Sequence, residues 1–344
     1  MHGLRKGVPM KEFSSRLVEK TEALLTWRAR RKARKKQREA AIRARRNTLL
    51  KKLGGLLREL VETVLIVLVI QQYLIQAYVI PSGSMEQTLM IGDRVMVDKL
   101  TFGPEILPTV GKLPGLSSPK RGDIVVFENP SYISPGVAFE ILHRFIYMMT
   151  LSLVDINRDE QGNPRAQLLV KRAVGTAGDR VRLERGEVFY WFPGEGGWIA
   201  ERALLGKGVR FSYRPQRLVS PDMYPLLEKA ARAVVWFSEG FTPDLEGRAA
   251  YQRIADSKEL VDYYAFELYQ MGERARLHPE EHDYARIWWQ GAMGWYIPPG
   301  RLLPLGDNRD NSRDGRYFGT VSLRKVLGRP IFRFWPPARI GGVR

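Results

Sequence analysis

Two serines and a lysine carry the chemistry open to this sequence. Ser82 and Ser84 flank a glycine in Val79-Ile80-Pro81-Ser82-Gly83-Ser84-Met85, and Lys171 lies in Val170-Lys171-Arg172-Ala173-Val174-Gly175. A serine hydroxyl is a poor nucleophile until a neighbouring base takes its proton. Histidine is the usual base, and the chain has four: His2, His143, His278 and His282, none in a triad-like context. A lysine can replace it if burial disfavours its charged form. Lys171 is placed for that, with Leu169 and Val170 before it in a strand-like run and Ala173 and Val174 behind. Taken singly, a strand lysine usually snorkels to the surface and Ser-Gly-Ser usually marks a turn. The chain has no cysteine, which excludes a thiolate nucleophile and a disulfide framework.

The order of the motifs is more specific than any one of them. Ile80 to Met85 is followed by Ile91-Gly92-Asp93 and by Arg121-Gly122-Asp123-Ile124-Val125-Val126-Phe127. Next come Val170 to Gly175 with Gly178-Asp179, and then Gly306-Asp307-Asn308-Arg309-Asp310-Asn311-Ser312-Arg313-Asp314 with Arg316. This series resembles the bacterial type I signal peptidases, membrane proteases with a Ser-Lys dyad, over residues 80–188 and 300–328. The resemblance implies Ser84 as nucleophile and Lys171 as general base. It implies an oxyanion hole from the Ser82 side chain and the Ser84 backbone N–H. Ser312 would orient the lysine amine, Asp314 and Arg316 would form a supporting ion pair, and Asp307 would pair with Arg172. Gly315 departs from the family, which commonly has serine there. The substrate implied is the signal peptide of a secreted preprotein, added as a β-strand. Leu168, Leu169 and Val170 would flank it, and Met85 would line the pocket for a small residue. No metal or other cofactor is implied. The partners the resemblance implies are preprotein signal peptides and the lipid bilayer, with the secretion translocon as a further candidate, and no nucleic acid is expected.

The elements that must position these residues fall into five stretches. Residues 1–60 carry 19 Lys/Arg against 5 Asp/Glu, so most of the net charge of +18 sits there. Like charges at the density of residues 28–38 oppose a helix and favour a solvated, mobile arm. Residues 61–80 read as an uncleaved membrane helix, since twenty residues span about 30 Å. Glu62, Gln71, Gln72 and Gln76 interrupt it, and the basic flank would hold the N-terminus in the cytoplasm. His2 would then lie across the membrane from the site. The expected location is the bacterial inner (cytoplasmic) membrane, single-pass, with the catalytic domain on the outer face.

From Pro81 the pattern turns to short β-type runs at 93–98, 123–127, 168–174 and 180–183, separated by Gly and Pro. The expected fold is a mainly β catalytic domain of antiparallel, barrel-like sheets, residues 81–189 and 296–344. An N-terminal transmembrane helix precedes it and a mixed α/β insertion, residues 190–295, interrupts it. The insertion carries helix-like stretches at 224–237 and 247–274, and its tryptophans read mostly as core. The apolar run Phe139–Ile156 suits a buried or interfacial amphipathic helix better than a second span.

Two rivals bear on function. His278-Pro279-Glu280-Glu281-His282 fits a zinc-protease spacing, but five-residue matches arise freely by chance, no convincing downstream carboxylate in a helical context supplies a third ligand, and an exposed polar helix start explains it better. The alternative of another class is a membrane-anchored binding protein, its basic arm on nucleic acid or acidic lipid and its β domain inactive. A self-cleaving Ser-Lys repressor-type protease is disfavoured by the apolar segment and the absence of a DNA-reading helix-turn-helix.

Overall fold

The computed structural model describes residues 10–107, 111–192, 194, 196–204, 213, 215–256 and 262–343. His2 lies outside them. The chain forms two compact units, residues 1–66 and 67–344.

The first unit corrects the expectation of a mobile arm. A single helix, α1 (Met10–Tyr73), runs through the basic stretch. No proline falls between Pro9 and Pro81, and Ala, Arg, Lys, Gln, Glu and Leu are all strong helix formers. Each like-charge pair at i,i+4 costs only about 0.2–0.5 kcal/mol, too little to outweigh that summed preference.

The expected membrane helix at 61–80 differs in extent and is not confirmed as a span. α1 stops at Tyr73, and Ile75–Val79 is a strand, β1. Among the described residues no helix is long and apolar enough to cross a membrane. The glutamines that interrupt the apolar run dock the end of α1. Gln71 Nε2 donates to the Met148 carbonyl at 2.8 Å and Gln72 Nε2 to the Glu105 carbonyl at 3.1 Å.

The second unit is mainly antiparallel sheet. β1 pairs with β2 (Arg94–Asp98), from Ile75 opposite Asp98 to Val79 opposite Arg94. A short hairpin, β3 (Glu105–Leu107) and β4 (Gly111–Lys112), follows. β5 (Ile124–Glu128) leads into α2 (Val137–Met149) and returns as β6 (Leu168–Gly175). β7 (Arg180–Glu184), β8 (Glu187–Trp191) and β9 (Trp198–Ala200) make a second sheet, which runs directly into α3 (Glu201–Leu204).

Four helices then occupy much of the insertion: α4 (Tyr224–Ser238), α5 (Leu245–Asp256), α6 (Tyr263–Leu277) and α7 (His282–Met293). The chain re-enters the second sheet at β10 (Trp295–Tyr296). β11 (Arg301–Leu305), α8 (Gly315–Phe318), β12 (Val321–Ser322), β13 (Val326–Trp335) and β14 (Gly341–Gly342) complete it. The large sheet runs β1-β2-β13-β5-β6-β11-β12, and the second β10-β7-β8-β9.

Two expectations for the insertion change. Its boundary at Tyr190 falls inside β8, and its strands share a sheet with β7. Of its tryptophans Trp295 is buried, whereas Trp289 is 59% exposed. The run at 139–156 is helical only to Met149. The helix α2 buries His143 and Met148 and leaves Val137, Ile141, Leu142 and Phe145 exposed.

Period-two alternation in the strands separates two apolar layers. Tyr78, Ile80, Met85, Leu89, Val95 and Val97 pack with Ile124 and Val126 on one side. Val125, Phe127, Ala173, Leu302 and Val326 pack on the other.

Candidate active site

Ser84 occupies a single turn of 3-10 helix, Gly83–Met85, entered from an extended Ser82 three residues beyond the end of β1. The turn is clamped from two sides. Met85 is buried in the cluster with Ile80 and Leu89. The Asn308 N–H donates to the Ser84 carbonyl at 3.1 Å, and Asn308 Nδ2 reaches the Gly83 carbonyl at 3.3 Å and Glu86 Oε2 at 2.9 Å. A side chain at 306 would collide with the Ser84 carbonyl and Ser312 Oγ, so Gly306 sets how closely the downstream loop approaches. At Gly83 a Cβ would meet only the Glu86 side chain, whose flexible end can move aside.

Lys171 stands opposite Val125 in the β5–β6 ladder. Its Nζ lies 2.5 Å from Ser84 Oγ, and both side chains are buried. Burial lowers the amine from 10.5 to about 8; Asp314 opposes the shift, Arg316 adds to it and Asp307 opposes it. An amine with that pKa is partly neutral near pH 8 and can accept a hydroxyl proton. Ser82 Oγ lies 3.4 Å from Ser84 Oγ. Geometry therefore brings the Lys171 amine, carried on β6, to the Ser82–Ser84 turn with its two hydroxyls, the pairing of group types that a hydroxyl nucleophile and its base require.

The run 306–316 surrounds this pair with buried charge. Asp307 receives Arg172 bidentately, at 2.7 Å from Nε and 2.6 Å from Nη2, both side chains fully buried. Arg172 also donates to the Gly122 carbonyl and stacks 4.0 Å from the Tyr213 ring centroid. Asp314 takes the Gly306 N–H at 2.8 Å and Arg316 Nε at 2.9 Å. Burial alone would raise the Asp314 pKa; the Arg316 charge and these N–H donors outweigh it and hold the carboxyl below the usual range. Ser312 Oγ is buried and makes no hydrogen bond to Lys171; its side chain instead lies beside Asp314 and helps to lower that carboxyl's pKa.

Of the residues expected to flank a peptide, Leu168 and Val170 pack on the cluster that holds Met85, while Leu169 packs on the opposite layer. The strand alternation explains the split. Residues 168–170 pair with β5 on one edge. β11 pairs with β6 only at Arg172, Ala173 and Gly175, so among the described residues the other edge of 168–170 has no strand partner.

Other members of the site were not singled out beforehand. Asn308 and Arg309 lie inside the quoted run, and their charge and amide were the available signal. Arg309 forms a buried pair with Glu201 at 2.9 Å, and Tyr213 Oη donates to Glu201 at 2.6 Å. Nothing local marks Glu201, which begins α3 about a hundred residues upstream. His278, from the zinc-like pattern, instead lies 3.2 Å from Glu239.

The family described as "Signal peptidase, peptidase S26" matches residues 53–190 and 251–335. The chain is similar to Signal peptidase I of Aquifex aeolicus, 25% identical over 278 residues that cover 80% of this chain and 82% of that protein. It is 24% identical to Signal peptidase I of Pseudomonas aeruginosa over 290 residues, 81% of this chain and 72% of that one. With Signal peptidase I of Haemophilus influenzae it shares 26% over 274 residues, 78% and 65% of the two chains.

Proposed function

The chain belongs to the signal peptidase family, peptidase S26, and from that premise we propose that it is a membrane-bound serine endopeptidase that removes signal peptides through Ser84 and Lys171. The observation that carries this is the 2.5 Å approach of a buried lysine amine to Ser84 Oγ, beside an unpaired strand edge.

The peptide adds to the open edge at Leu168–Val170, its small residue against Met85. Neutral Lys171 takes the Ser84 proton as Oγ attacks the carbonyl carbon. The oxyanion that forms is held by the Ser84 N–H and the Ser82 hydroxyl. Collapse breaks the C–N bond, and protonated Lys171 gives its proton to the leaving amine, which departs as the mature chain. Water then attacks the Ser84 ester, Lys171 accepts its proton, and that proton returns to Ser84 as the signal peptide acid is released. Asp307–Arg172 and Asp314–Arg316 fix the loop that presses on the Ser84 turn, and Ser312 lies in that loop. It acts on preproteins delivered by the translocon at the surface of the bacterial inner membrane.

Cleavage of a model preprotein in liposomes tests this. Ser84→Ala and Lys171→Ala should each abolish cutting, Ser82→Ala should lower kcat about 100-fold or more, and a chelator should have no effect. Cutting by Ser84→Ala would remove the assigned nucleophile.

A further inference from the structure

β1 is an edge strand whose outer side is already occupied. Ile80 gives its N–H to Asp93 and Leu74 accepts from Lys99, so the even residues face β2. Ala77 and Val79 therefore turn their main-chain groups outward. The Ser152 hydroxyl donates to the Ala77 carbonyl at 2.5 Å, and the Val79 N–H donates to Tyr147 Oη at 3.4 Å. Pro81, the next residue to face outward, has no N–H.

The segment that supplies these side chains is held firmly. Gln71 grips the end of α2 at Met148, His143 Nε2 lies 2.9 Å from Asp155 Oδ1, and Asn157 Nδ2 reaches Tyr132 Oη at 3.0 Å. Leu151 and Ser152 sit at φ 49° and 65°, in the left-handed region that side chains adopt at a cost. That cost is borne where a hydroxyl reaches β1. Tyr147 also packs on the cluster of Tyr78, Ile80 and Met85, as do Leu168 and Val170.

Four successive antiparallel pairings, β1–β2, β2–β13, β13–β5 and β5–β6, make β1 and β6 parallel. A peptide lying between their outer edges would ordinarily take main-chain hydrogen bonds from both.

We propose that Tyr147 and Ser152 fill the outer edge of β1, so that a peptide beside Ala77 and Val79 pairs with Leu168–Val170 alone, and that the Tyr147 ring is the wall selecting side-chain size there. The proposal rests on the peptidase reading above and adds a specificity-determining residue to it. α2 thereby exchanges main-chain affinity for side-chain discrimination on one side of the cleft.

The test is a scan of peptide substrates, with tryptophan or an N-methyl group placed at each residue before the cut. Over the stretch beside Ala77 and Val79, N-methylation should slow the wild type only at alternate residues, those whose N–H faces β6. One tryptophan position should be cut poorly. Tyr147→Ala with Ser152→Ala should relieve that position roughly tenfold or more in kcat/KM and make the remaining amides sensitive to methylation. Tyr147→Phe keeps the ring, so it should keep the size selection while freeing the Val79 N–H; it serves if the double variant fails to fold by circular dichroism. If folded variants give the wild-type profile while Ser84→Ala is inactive, the edge proposal fails and the peptidase reading stands. If Ser84→Ala cuts, the reading beneath it fails instead.

Discussion

At the residue scale the site turns on one buried amine. With the Lys171 pKa near 8, kcat/KM should rise about tenfold per pH unit below pH 8 and level off above it, as the neutral base accumulates. A profile flat from pH 6 to 9 would deny lysine that role. The same burial costs stability. The folded lysine binds fewer protons than the unfolded one between pH 8 and 10.5, so stability rises with pH across that window and the whole cost is present below it. Lys171→Met, similar in volume and without the amine, should therefore stabilise the inactive protein at pH 7 by about 1–3 kcal/mol. That gain appears as a Tm several degrees higher, at about 2–4 °C per kcal/mol, and it should fade as the pH approaches 10.5. Thermal melts at both pH values check this. The lysine was legible in the sequence because Leu169 and Val170 precede it and Ala173 and Val174 follow. Glu201, which carries the Arg309 contact, was not, since long-range pairing leaves no local mark.

At the element scale, the strands were legible to within a residue or so, because alternation and glycine turns are local signals. β2, β5, β6 and β7 lie where those runs stand. The end of α1 was hidden, because residues 61–80 are apolar on both sides of Tyr73 and apolar composition alone does not separate helix from strand. Pairing with β2 decides it, and the clustered Ile75, Tyr78, Val79 and Ile80 were the only hint. The junction between β6 and the loop after β11 depends on Arg172 and Asp307. Breaking a fully buried pair strands a charge, so Arg172→Met or Asp307→Leu alone should cost about 3–5 kcal/mol. Removing both charges together should cost distinctly less, because no uncompensated charge remains buried. Urea midpoints of the two single variants and the double one measure the coupling; strictly additive losses would mean the pair is not what holds the loop.

At the scale of the whole molecule, charge and apolar surface divide the chain. Val61, Leu65, Ile66, Val69 and Ile70 are all exposed on α1, an unusual surface for a helix facing water. Residues 61–70 are apolar apart from Glu62 and Thr63 and extend about 15 Å along the helix, half of a hydrocarbon core of roughly 30 Å. Attachment to a bilayer, as proposed, would thus combine two forces that salt separates. Apolar burial is insensitive to ionic strength, whereas each Lys or Arg near an anionic surface adds about 1 kcal/mol that is screened within a Debye length. In vesicle flotation the full chain should bind neutral lipid at both low and high salt. Anionic lipid should strengthen binding at low salt only. Serine at Val64, Leu65, Ile66, Val67 and Leu68 should release the chain from neutral vesicles and leave only the salt-sensitive part. A wild-type chain that ignores neutral vesicles would make α1 a purely electrostatic contact, and the site at Ser84 would then have to meet its substrate without an anchor.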